Sequence, residues 1–456
     1  MIPPLTDITY RRLFAAQVIA LAGTGLSTVA LALLAYDLAG GDAGVVLGTA
    51  LSLKMVAYVG VAPLIGAVAH RARRKALLIG LDIARALMIM CLPFVTEIWQ
   101  ICLLIFALNA CSAGFTPTFQ ASIPDILPDD AHYTRALSLS RLAYDLENLL
   151  SPLLAAAVLL VLSYDTLFAL NAVTFLVSAL LIASVSLPSP RPHEREAGGW
   201  SNITFGVRTY LATPRLRGLL ALSVAVAAAG AMVIVNTVVY VRDRLEGSES
   251  DIALVLAAFG AGSMAAAIAL PRFLDRHPER PFMLVGGVLC ATGLFLGLAA
   301  PALTTLAAIW LLLGVGSSLI QTPGGRLLKR SAHEANRPSL FAAQFALSHA
   351  CWLVGYALAG GTSSAGLMPV FTLLGSIAAI STLLAFRLWP ATDPHELEHT
   401  AHPRAGASRA CTYSRRASRA RTPGMGRIRT TPPPHTHQPK THRHPYVIDL
   451  HHPSWP

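Results

Sequence analysis

The chain has 456 residues, 54% of them hydrophobic and only 13% charged, with a mean hydropathy of +0.56. That balance excludes an ordinary soluble domain, and one oversized soluble core would not repeat apolar runs of about twenty residues, the length that crosses roughly 30 Å of hydrocarbon. The net charge of +11 does not imply nucleic acid, because ten of the Lys and Arg lie after residue 390 and the others follow loops.

From its start, MIPPLTDITYRRLF, the chain shows no charged n-region before a short apolar stretch, so the first helix is expected to stay as an anchor. Apolar runs predict helices over 12–38, 43–69, 76–95, 98–119, 138–162 and 166–187, then 216–241, 251–271, 281–300, 302–321, 339–361 and 367–389. The expected fold is an all-α membrane protein of twelve transmembrane helices in two six-helix repeats. Between the repeats, the polar stretch beginning PSPRPHEREAGG reads as a linker. The domains are thus 1–187, a linker at 188–214, 215–390, and a tail at 391–456.

Basic residues from Arg11 and Arg12 through Arg74, Lys75, Arg135, Arg276 and Arg326 to Arg337 fall on one side of this scheme, and only Arg242 and Arg244 on the other. The positive-inside rule then places both termini in the cytoplasm and the protein in the inner membrane. The halves also repeat. Thr116-Pro117 matches Thr322-Pro323 at an offset of 206 residues, and His70-Arg71 matches Asp275-Arg276 at 205. Cys91, Cys102, Cys111, Cys290, Cys351 and Cys411 form no CxxC pair, and five of them lie within apolar runs, which argues against both a disulfide framework and a thiolate metal site.

Charged side chains cost about 2.5–3.5 kcal/mol each in the middle of a bilayer, so those retained are expected to face a cavity or a partner. Lys54 in the second helix reads as one member of an ion pair or as a gating or coupling group. Asp82 and Arg85, three apart, read foremost as a pair on one face of the third helix. On the fifth helix Ser138, Arg141, Asp145, Asn148 and Pro152 recur at steps of three and four, a polar stripe, with Glu147 beside it. The repeat offset carries this stripe onto Gln344, Ser348, Cys351 and Gly355, and both stripes are expected to line the central path. His349 flanks the second stripe. A lone buried His is most often a hydrogen-bonded core residue. With Asp145 or Glu147, however, it supplies the imidazole and carboxylate that suit a borderline divalent ion, with protons as the alternative occupant. Asn109, Asn171 and Asn236 are weaker candidates, suited to tying helices together.

Nine of the fifteen His lie after residue 390. His395, His399 and His402 would share one face of a helical turn, and His435, His437, His442, His444, His451 and His452 follow; all nine are candidate metal ligands. The alternative is a solvated tail whose His are incidental. Between Arg404 and Pro434 the tail is an Arg, Ser, Thr and Pro mixture without acidic residues or His, and is expected to be disordered.

Twelve helices in two halves, with the turn GAVAHRARRK from Gly66 through His70, Arg71 and Arg74 to Lys75, resemble the major facilitator superfamily. Its signature G-x-L-A-D-R-x-G-R-K would have Asp at His70 and Gly at Arg73. In the family this turn helps lock the halves on the cytoplasmic side, a role that the resemblance extends to Gly66, His70, Arg71, Arg74, Lys75, Asp275 and Arg276. Within the superfamily, RRLFAAQ at 11–17, Asp82-x-x-Arg85, and TPGGRLLKRSA followed by LFAAQFALSHACW resemble a branch containing siderophore exporters and nickel or cobalt resistance exporters. The DPHELEH and HRHPYVIDLHHPSWP segments resemble the His-rich tails of the metal exporters.

The expected function is therefore proton-coupled efflux of nickel, with cobalt a further ion, by a monomer in the lipid bilayer. The alternative is export of a siderophore or other organic molecule, which predicts an aromatic-lined cavity. No enzyme, cofactor or nucleic-acid partner is expected, and without a G-x-x-x-x-G-K-[ST] loop ATP cannot be the energy source.

Overall fold

In hydrocarbon each backbone N–H and C=O must be satisfied within its own segment, and this chain answers with helices. A computed structural model describes residues 3–39, 43–69, 73–161, 163–187, 199–333, 336–362, 366–391, 396–401 and 440–445. In the first half α1 spans Ile8–Ala39, α2 Ala43–Ala69, α3 Arg74–Cys91, α4 Ile98–Ile126, α5 Asp130–Leu159 and α6 Tyr164–Ala183. A short α7, Gly199–Ala212, follows. The second half holds α8 Pro214–Val239, α9 Glu249–Leu274, α10 Glu279–Leu296, α11 Leu303–Arg330, α12 Arg337–Gly361 and α13 Leu367–Leu388.

Among the described residues ten helices are long and apolar enough to cross a membrane. The twelve spans are completed by α5, interrupted by Arg141, Asp145 and Glu147, and by α2, whose apolar stretch is Ser52–Ile65. The two Thr-Pro pairs fall in equivalent helices, with Pro117 inside α4 and Pro323 inside α11.

Several expected boundaries move. α4 runs on to Ile126, α5 begins at Asp130 and α11 runs on to Arg330, because the helices continue past their apolar stretches into polar ends that pair with one another. The stretch read as linker contains α7, held by fully buried Tyr210. Gly206 lets α7 lie on α12, since a Cβ there would come within 2.3 Å of the Ser339 carbonyl oxygen.

Each half has its own apolar core. Phe168 and Phe175 lie in the first, and Trp310 and Phe371 in the second. Leu87, Leu180, Ile380 and Leu383 stand exposed on the outside, the inverse of a soluble protein and the surface that lipid requires. The halves meet where α2 packs on α12 and α5 on α9 and α11. A small cluster of Ala62, Ala113 and Ala346, flanked by Tyr58 and Phe345, sits at the first of these seams.

A second compact unit comprises residues Pro394–Tyr446. In it Glu396–Ala401 (β1) pairs antiparallel with Lys440–Pro445 (β2), setting His399 opposite His442 and Thr400 opposite Thr441. His399, considered for a helical turn with His395 and His402, thus lies in extended backbone whose hydrogen bonds are satisfied by a partner strand. His395, His402, His435, His437, His451 and His452 lie outside the described residues, as does the stretch from Arg404 to Pro434.

Candidate functional site at the seam between the halves

The stripe on α5 faces the second half. Arg141 Nη2 lies 2.9 Å from Asp145 Oδ1, one turn away on the same helix. From α9, Ser263 donates its hydroxyl to Asp145 Oδ2 at 2.6 Å and accepts from Arg141 Nε at 3.0 Å. Arg141 Nη1 also donates to Gln321 Oε1 of α11 at 3.2 Å. Asp145 and Ser263 are buried, so the contacts between them and Arg141 are shielded from water, where charge-assisted hydrogen bonds are strongest, whereas Gln321 is exposed. Ser138, a turn earlier, is buried with no partner for its hydroxyl, and the side chain of Asn148 lies outside the description.

Two residues after Asp145, Glu147 points elsewhere. It stands within electrostatic range of Lys54 on α2. Gly25 of α1 makes room for it, since a Cβ there would fall 3.2 Å from Glu147 Oε1 and 1.8 Å from Ser151 Oγ. The Lys54 ammonium lies 5.6 Å from the centre of the Tyr58 ring. Across the seam, His349 of α12 meets Tyr58 edge-on at 4.7 Å and stacks near Phe345 at 4.2 Å. Its Nδ1 is 2.7 Å from the Phe345 carbonyl oxygen, which fixes the proton there in a neutral ring and leaves Nε2 as the acceptor.

The structure thus separates residues that the sequence grouped. Asp145 belongs to the Arg141, Ser263 and Gln321 ring, whereas His349 belongs with Tyr58, Phe345 and Lys54. Among the described residues no three of His, Cys, Asp and Glu converge. Gln344 of the α12 stripe accepts a hydrogen bond from Tyr210 of α7. Asp82 and Arg85 pair within the first half, where Ser178 donates to the carboxylate at 2.8 Å and the guanidinium lies between the rings of Phe115 and Phe175, 4.1 and 4.4 Å away. Asn171 donates to Ser27 at 2.7 Å, Asn109 to the Ile105 carbonyl at 2.7 Å, and Asn236 to the Ala359 carbonyl at 3.4 Å.

A second set of contacts crosses the seam at the end of the bundle that carries the basic loops. Asp125 of α4 pairs with Arg74 of its own half and with Arg337 of the other, and all three are largely buried. Lys329 reaches Asp130 at 2.7 Å and the Pro128 carbonyl at 2.6 Å. Arg326 bridges Glu279 at 2.8 Å and Thr134 at 2.6 Å. Arg135 meets Asp275 at 3.3 Å, so Asp275 is engaged across the seam. Gly66 lies in α2 and Lys75 in the first turn of α3, while His70 and Arg71 fall outside the described residues; Arg276 is exposed.

Arg337, Arg326 and Lys329 were legible in the sequence only as topology charges, and Asp125, Ser263, Gln321, Tyr58 and Phe345 carried no local signal. Two six-helix halves joined along α2–α12 and α5–α9 meet their match in the Major Facilitator Superfamily model, which fits residues 13–241 and again 219–434. The chain belongs to this superfamily.

Over 120 residues the chain is 28% identical to an uncharacterized MFS-type transporter, YfiS, of Bacillus subtilis, a match spanning 26% of this chain and 28% of the relative. In fold it resembles the human organic anion transporter MFSD10, with a TM-score of 0.72 and 12% identity over 83% of this chain and 99% of that one. A bacterial homologue of the iron transporter ferroportin in an outward-facing state gives 0.69 and 14% over 83% and 98%. At these identities the structural likenesses establish the superfamily fold alone. The chain is a multi-pass membrane protein of this superfamily.

Proposed function

We propose that this protein is a secondary active exporter that moves a divalent metal ion, nickel foremost and cobalt with it, out of the cytoplasm in exchange for protons. The observation that carries this reading is His349. A metal-ligating imidazole typically donates its other N–H to a carbonyl, as His349 does to Phe345, and so presents Nε2. Glu147 is the carboxylate that completes a two-ligand transit site, with Lys54 holding the place of the cation until cargo arrives. A site of few protein ligands suits transport, since cargo must be held loosely enough to leave. Only neutral imidazole and ionised carboxylate hold metal, so protons taken up by either group on the far side release the cargo, and that alternation supplies the exchange. On this reading the basic end is cytoplasmic, both termini lie there in the inner membrane, the monomer is the working unit, and the ion pairs around Asp125 hold that end shut. The tail His, among them His399, His442 and His444, collect or sense metal.

A second reading has its own observation. Phe345, His349, Trp352 and Tyr356 follow one another at helical spacing on α12, with Tyr58 opposite, an aromatic wall that suits an organic cargo. A deletion strain grown against nickel, cobalt, zinc and an iron chelator separates the two. Sensitivity to nickel that is rescued by the wild type but not by His349→Ala or Glu147→Gln is the expected outcome. Sensitivity to the chelator alone selects the organic reading.

A further inference from the structure

At the end of the second half opposite the basic loops, a cavity of about 300 Å³ lies between the last turn of α8, the end of α10 and the start of α13. Three membrane spans stop at this level: Pro214–Arg244, Glu279–Ala299 and Leu367–Leu388. The cavity is lined by Tyr240, Asp243, Arg244, Ala300, Met368 and Phe371 with their neighbours. Its floor is aromatic, the Tyr240 and Phe371 rings standing 6.0 Å apart. Its polar edge consists of one acid and one base that are consecutive in sequence.

Consecutive residues on an α-helix do not face the same way, being about 100° apart. Here both line one cavity, and both sit in the π-helical turn that ends α8, Tyr240–Arg244, closed by the Leu245 N–H on the Tyr240 carbonyl at 3.3 Å. Such turns are frequent at functional positions. The Tyr240 hydroxyl donates to the Pro301 carbonyl at 2.9 Å and accepts from Arg244, which sets the guanidinium at the rim. The opposite wall holds Ala300 at φ 55°, a left-handed conformation that costs a residue with a Cβ about 1 kcal/mol or more. Beside the opening, Met368 and Leu296 are exposed apolar side chains that continue the lipid-facing surface.

We infer that this cavity is a headgroup site for a phospholipid carrying a primary ammonium. Arg244 takes the phosphate, Asp243 accepts from the ammonium, and the acyl chains run down the face marked by Met368 and Leu296. The opposed charges side by side fit a zwitterion better than an anionic or a methylated headgroup, because a quaternary ammonium has no N–H to donate.

Native mass spectrometry of the full-length protein in detergent tests this, with phosphatidylethanolamine, phosphatidylcholine and phosphatidylglycerol of identical chains supplied in equal amounts and soluble phosphoethanolamine in a parallel arm. Phosphatidylethanolamine is expected to be retained roughly tenfold over phosphatidylcholine, the size of one charge-assisted hydrogen bond. Asp243→Asn should abolish that preference, Arg244→Gln should lower retention of all three, and Met368→Trp should lower it by filling the mouth while sparing both charges. Equal retention of the three lipids, or a preference untouched by Asp243→Asn in protein that elutes as wild type, overturns the proposal. So does soluble phosphoethanolamine binding as well as the lipid, which would assign the cavity to a free zwitterion.

Discussion

The seam between the halves is built differently at its two levels. At the basic end it is strapped by separate ion pairs around Asp125, Asp130 and Asp275, with a carboxylate shared between two arginines at its most buried point. In the middle of the bundle it is held by one ring of polar groups, from Arg141 to Gln321, and by an aromatic patch at Tyr58, Phe345 and His349. Opening the first level means breaking several charge pairs together, whereas opening the second means exposing a single network and a few ring contacts. On the reading proposed above, a barrier to switching sits at the basic end, while selectivity belongs to the middle.

The strongest way to break this contrast is at Asp125. Asn there leaves Arg74 and Arg337 without their carboxylate, and removing one partner of a buried ion pair costs about 3–5 kcal/mol. A large loss of thermal stability is expected, together with faster labelling of cysteines introduced across the basic end. Unchanged labelling would show that the straps do not govern opening. Next is the ring. Arg141→Gln and Asp145→Asn should each be destabilising by about 2–4 kcal/mol, and the double variant by clearly less than their sum, because the two side chains share their partners. Additive losses in a thermal double-mutant cycle would remove the ring as a unit.

Smaller effects sharpen the comparison. Arg135→Ala removes a pairing with Asp275 in which both side chains keep contact with solvent, so a change below about 1 kcal/mol that vanishes in high salt is expected. Smallest is Asp129→Ala at the start of α5, where the carboxylate accepts from the His132 N–H at 2.9 Å and from its imidazole at 2.8 Å. These bonds, the backbone one first, hold the Asp129 carboxyl below its usual range. Its folded pKa being depressed, the contribution is present at neutral pH and fades as acid protonates the carboxylate. A cap of this kind is worth about 1 kcal/mol. Wild type and Asp129→Ala should therefore converge in melting temperature as pH falls through the carboxylate range.

Much of the frame was legible without coordinates, because bilayer thickness, loop charge and duplication leave marks of their own. The stripe through Arg141 and Asp145 was legible for the same reason, its period being that of a helix. Its partners were not, since Ser263 stands 118 residues from Asp145 and Gln321 stands 180 from Arg141, and nothing local distinguishes either from other small polar residues. Asp125 was hidden by a different cause. It follows Pro124 and lies beyond the helix predicted over 98–119, whereas α4 continues past the proline and carries it to the seam. Asp145 was grouped with His349 and Glu147 by chemistry, and the helix geometry set it apart from both.

That separation has a mechanical side. Asp145 and Glu147 are two residues apart on one helix, about 200° around its axis, so one addresses the opposite half and the other the space beside α1 and α2. A helix is stiff over so short a distance, so a rigid movement of α5 displaces both carboxylates together. α5 therefore works as an axle: whatever turns or tilts it to loosen one grip must move the other.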